Sequence, residues 1–85
     1  MKINPDFSLC NDGEQFFVVS EKNNIKVPLV GEHLVALWNC VAEKDCTKEQ
    51  LLHALLQKFD ISTVLALNEI DVFLKLMKEN GIIEL

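Results

Sequence analysis

The hydrophobic period of this chain changes once. The first thirty residues alternate as strands do, and the remaining fifty-five recur at helical spacing. Such a chain must build a sheet first and then pack helices against it, which predicts an α+β fold. A chain of 85 residues carries one small core, and with 49% hydrophobic and 25% charged residues it reads as one compact globular domain.

The strand half divides at its turn residues. Phe7-Ser8-Leu9-Cys10 reads as a first strand (about 7–10), closed by Asn11-Asp12-Gly13, which tolerate the positive φ of a tight turn. Gln15-Phe16-Phe17-Val18-Val19-Ser20 is the second strand (15–20), and Glu21-Lys22-Asn23-Asn24 turns the chain into a third (24–29). Three antiparallel strands in a meander are therefore expected. In the third, Ile25, Val27 and Leu29 share one face and Lys26 and Pro28 the other. Proline cannot donate to a ladder, so this strand belongs at an edge. The second strand is apolar on both faces, Phe16 and Val18 on one and Phe17 and Val19 on the other, more than helices on one side can cover.

Three helices are expected at about 32–43, 47–59 and 68–80. Leu34, Leu37, Trp38 and Val41 form the inward stripe of the first. The second opens on Thr47-Lys48-Glu49-Gln50, a capping box, and builds its inner face from Leu51, Leu52, Leu55, Leu56 and Phe59. The third is expected to start near Asn68, with Asp71 as its capping carboxylate, and to stop at Asn80-Gly81, before an extended Ile82-Ile83-Glu84-Leu85. Ile70, Phe73, Leu74 and Met77 make its main face, while Val72 and Leu76 widen the apolar arc to ~200°, beyond what docking on a core requires. An edge strand together with a helix carrying surplus apolar surface suits capture of an extended peptide.

Charge and composition exclude other classes. Eight lysines, no arginine and thirteen acids leave a net charge of −5, without the cationic surface that nucleic-acid binding needs. No apolar run approaches the roughly 20 residues of a membrane span, and the start Met1-Lys2-Ile3-Asn4-Pro5-Asp6 lacks the form of a signal peptide, so a cytoplasmic protein is expected. Cys10, Cys40 and Cys46 read as reduced packing thiols. With His33 and His53 they lack metal-ligand spacing, and no nucleophile–base pair or phosphate loop is present. No enzyme, metal or cofactor is expected.

The order of three strands and three helices resembles the PqqD-like family: pyrroloquinoline quinone biosynthesis protein D and the related RiPP recognition elements. The resemblance rests on Thr47-Lys48-Glu49-Gln50-Leu51-Leu52 opening the second helix and Asp71-Val72-x-x-x-x-Met77-x-x-x-Gly81-Ile82-Ile83 closing the chain, and it runs from Phe7 to Ile83. It implies a winged-helix-like fold that binds the leader segment of a ribosomally made precursor peptide as an added strand. Carried over by position, Asn24, Ile25, Lys26, Val27 and Leu29 supply the edge, and Val72, Lys75, Leu76, Lys78 and Glu79 line the helix side. A separate modifying enzyme, a radical SAM protein, cyclase or protease of the same pathway, is the implied second partner.

Two other classes compete with this reading. A winged helix-turn-helix regulator would present the third helix to DNA, but Glu69 and Asp71 with no cation nearby oppose phosphate. A structural subunit, including a homodimer through the second strand, would use that strand's doubly apolar surface. Each residue also has a plainer reading: Lys26 and Pro28 protect an edge from aggregation, Val72 and Leu76 pack on helices, and Lys75, Lys78 and Glu79 form a solvated face.

Overall fold

A computed structural model describes residues 2–84. The elements are β1 (Lys2–Ile3), β2 (Ser8–Asn11), β3 (Phe16–Ser20), β4 (Ile25–Leu29), α1 (Glu32–Glu43), α2 (Lys48–Lys58), α3 (Thr63–Glu79) and β5 (Ile83–Glu84). The expected three-stranded antiparallel sheet is present in the order β2-β3-β4, with three helices after it. Its register pairs Leu9 with Val18 and Val18 with Val27, so one face of the sheet carries the buried Val18, Val27 and Leu29.

The turns are closed by short polar side chains. Asp12 accepts from the N–H groups of Glu14 and Gln15 at 3.0 and 2.9 Å, and these donors hold its carboxyl below the usual carboxylate range. At the next turn the buried Ser20 hydroxyl accepts from the Asn23 N–H, and Asn24 takes φ 53°, a left-handed conformation that asparagine tolerates.

The Thr47–Gln50 capping box is complete. The Thr47 hydroxyl accepts from the Gln50 N–H at 3.2 Å, and the Gln50 side chain accepts from the Thr47 N–H at 2.8 Å. Thr47→Ala is expected to cost about 1 kcal/mol and lower Tm by about 4–8 °C in a thermal melt. The C-terminus of α3 also follows expectation. Gly81 sits at φ 68°, its N–H reaches the Lys78 carbonyl, and the Ile82 N–H reaches that of Met77, so two carbonyls of the last turn are satisfied.

The start of α3 departs from the expectation at Asn68. The helix begins five residues earlier, at Thr63, because the Ser62 hydroxyl accepts from the Leu65 N–H at 3.1 Å. Asp71 is therefore not a cap. It lies mid-helix, where its carboxylate pairs with Lys48 at 2.8 Å. Two further corrections concern packing: Cys10 is exposed, so only Cys46 among the three thiols is buried, and Leu56 is exposed rather than on the inner face of α2. The short β1–β5 ladder was not expected. It sets Ile3 opposite Ile83, turning the extended tail into a strand through Glu84; Leu85 lies outside the described residues.

The core joins both halves of the chain. Val18 from the sheet, Leu37 from α1, Leu51 and Leu55 from α2, and Ile70, Phe73 and Met77 from α3 are fully buried in one cluster. α3 packs on both α1 and α2, and β5 returns beside it.

Candidate functional site

Among the described residues β4 pairs only with β3, so its outer side is an open edge. In an antiparallel ladder, successive residues turn their N–H and C=O alternately toward the partner and away from it. Proline on an edge strand takes an outward position, since no ladder bond is then lost. Pro28 placed outward puts Lys26 outward with it, whereas Ile25, Val27 and Leu29 turn their main-chain groups to β3. The open edge thus offers the N–H and C=O of Lys26 and the C=O of Pro28.

The side chains of the same strand divide accordingly. Val27 and Leu29 are buried under the sheet, Ile25 is half-buried, and Lys26, Pro28 and Asn24 are exposed. The Lys26 ammonium lies over the Phe17 ring, 4.0 Å from its centroid, so the second apolar face of β3 is partly shielded by a lysine from the neighbouring strand. Because β3 is hydrogen-bonded on both sides, a homodimer through it is confined to this outer face.

Two side-chain contacts orient α3. His33 Nδ1, near the start of α1, lies 3.9 Å from a Glu69 carboxylate oxygen, and Phe59 packs edge-on against the same imidazole. Lys48, at the start of α2, holds Asp71. At 100° per residue, Leu65, Val72 and Leu76 share the flank of Glu69, on the side of the β4–α1 connection, whereas Lys78 shares the flank of Asp71, toward α2. Lys75 and Glu79 lie exposed between the two flanks. Of the five helix residues singled out from sequence, Val72 and Leu76 are thus the pair on the flank of Glu69, which meets His33 at the start of α1. Leu65, which sequence reasoning missed, joins them: it is 42% exposed and Val72 is 47% exposed, while Leu76 is half-buried. The signal was present in the spacing Leu65-Glu69-Val72-Leu76, but it becomes legible only once the helix starts at Thr63.

Among the described residues no group of three or more His, Cys, Asp or Glu side chains is placed to hold a metal ion. Burial pushes the Cys40 thiol up, away from the thiolate a nucleophile needs, and Cys46 donates to the Cys40 carbonyl at 3.4 Å. No helix among the described residues is long and apolar enough to cross a membrane.

No family model matches the chain, and no curated protein sequence does. Two solved structures share its fold. One is TbiB1 in complex with the TbiA(beta) leader peptide, with a TM-score of 0.79 at 13% identity over 99% of this chain and 95% of that one. The other is lasso peptide synthetase B1 complexed with the leader peptide, with a TM-score of 0.74 at 12% identity over 95% of this chain and 93% of that one. At such identities the likeness establishes the α+β, winged-helix-like architecture of three strands followed by three helices.

Proposed function

We propose that this chain is a non-catalytic peptide-capture module. An extended leader segment of a ribosomally made precursor peptide adds to β4 as an outer strand, bonding to the Lys26 N–H and C=O and to the Pro28 C=O. Its inward side chains fall between half-buried Ile25 and the Leu65–Val72–Leu76 flank of α3, over a floor closed by Val27 and Leu29. Asn24 and Glu79 mark the ends of this groove, and Lys75 gives its outer slope positive charge, whereas Lys78 sits on the flank toward α2. The observation that carries the reading is an open edge strand combined with an α3 flank that keeps apolar side chains in water. Both solved structures of this fold described above hold a leader peptide, which supports it.

Capture would act by tethering. A precursor held by its leader presents its remaining segment at high effective concentration to a separate modifying enzyme, a radical SAM protein, cyclase or protease in the cytoplasm. An amide-resolved NMR titration with synthetic leader segments of precursors encoded near the gene tests this. Saturable shifts along residues 24–29 and 65–79 are expected; their absence with every candidate removes the reading.

Val72→Glu separates binding from folding. The side chain is 47% exposed, so stability should change by less than about 0.5 kcal/mol. Removing an apolar anchor and adding a charge that an incoming strand must desolvate should weaken leader binding about 10-fold, read by calorimetry.

A further inference from the structure

β4 runs directly into a cavity that shares only Leu29 with the proposed groove. Leu29 and Val30 form one wall, Phe16 at the start of β3 another, Val35 and Ala36 of α1 a third, and Phe59 stands at the far side of an open pocket of about 740 Å³. That volume falls within the range of pockets that hold ligands, and the lining is apolar with a polar rim, as such pockets are. No residue of α3 lines it. Val30, at the end of β4, is 70% exposed, an apolar side chain that the fold leaves in water.

We propose that this cavity receives one bulky apolar side chain of the captured peptide, from the position just beyond its strand-forming segment on the Leu29 side. The inference rests on the strand-capture reading and adds the origin of its selectivity. The edge offers only three main-chain groups, because Pro28 has no N–H, and main-chain bonds distinguish poorly between one extended chain and another. The Pro28 carbonyl is the last group that can hold the added strand, so the peptide leaves the ladder two residues from Val30. A side chain released there is already tethered beside the cavity, and little further freedom is lost when it enters. The rim settles the neighbouring chemistry. Glu14 and Glu32 stand at the sheet and α1 side and Lys58 beside Phe59, so an acidic residue next to the anchor is disfavoured at the first and favoured at the second.

A displayed random dodecapeptide library, selected on the intact protein, tests this directly. The enriched peptides are expected to carry a large apolar residue at a fixed offset from an alternating segment. Their binding should fall about 10-fold on Val35→Trp, which fills the cavity, and on Val30→Asp, which charges its mouth at an exposed site that folding does not use. Replacing the anchor by Gly should cost the same on the parent protein and nothing further on Val35→Trp. Enriched peptides that show no anchor, bind both variants like the parent and lose affinity on Lys26→Pro would overturn the cavity while leaving strand capture in place. A library that enriches nothing on the parent protein overturns both.

Discussion

Lys26→Pro is expected to weaken leader binding by about 30- to 150-fold while leaving the melting temperature within a few degrees of the parent. The substitution removes the one outward N–H on β4 and sets a pyrrolidine ring where the added strand must approach. Loss of a hydrogen bond is worth about 0.5–1.5 kcal/mol, and the ring also disturbs the reciprocal bond to the Lys26 carbonyl. Together these give roughly 2–3 kcal/mol, at 1.4 kcal/mol per tenfold. Folding should be little affected because Lys26 is exposed, although its contact with Phe17 is lost at about 0.5–1 kcal/mol. Val27→Pro is the contrasting control. Val27 is buried and turns its N–H to β3, so that change breaks the sheet at about 3 kcal/mol or more and abolishes binding by unfolding. Calorimetric affinity and a thermal melt on the two variants separate the cases; normal binding by Lys26→Pro would remove the edge from the site.

The contrast also shows what was legible before the structure. Period two in Ile25-Lys26-Val27-Pro28-Leu29 and the proline within it identified the edge, because both signals are local. The capping box at Thr47 and the Gly81 stop were legible for the same reason: each is a short-range hydrogen-bond pattern with strict residue requirements. The start of α3 was not. Ser62 is followed by Leu65 where a capping box would place Glu or Gln, so only half of the signal exists, and Asn68 with Asp71 imitated a full one. That error displaced the helix start by more than a turn and hid Leu65 from the flank. Which neighbour each flank of α3 meets was illegible in principle, because it depends on His33 meeting Glu69 and Lys48 meeting Asp71, contacts between residues more than twenty positions apart. The cavity at the end of β4 has the same origin, since its walls come from β3, β4, α1 and the end of α2.

Phe73→Ala is expected to cost about 3–5 kcal/mol, the largest effect of any side-chain truncation considered. Phe73 is fully buried on the core face of α3, among Val18, Leu37, Leu51, Leu55, Ile70 and Met77. A chain of 85 residues has a total stability of roughly 4–13 kcal/mol, so the change removes a large fraction of it. Urea unfolding followed through the single, buried Trp38 reports this as a lowered midpoint with an unchanged slope. Its value for function lies in the response to peptide. Phe73 lies on the core side of α3, away from the Val72 flank, so the folded fraction should retain parent affinity and the variant should be rescued by ligand. Mass action supplies about 2.7 kcal/mol of stabilisation at a peptide concentration 100 times Kd. Lys26→Pro should show the reverse: near-normal stability and little shift with the same peptide. Rescue of Lys26→Pro but not of Phe73→Ala would place the peptide against the core face of α3 and overturn the assignment of the groove to the β4 edge and the Leu65–Val72–Leu76 flank.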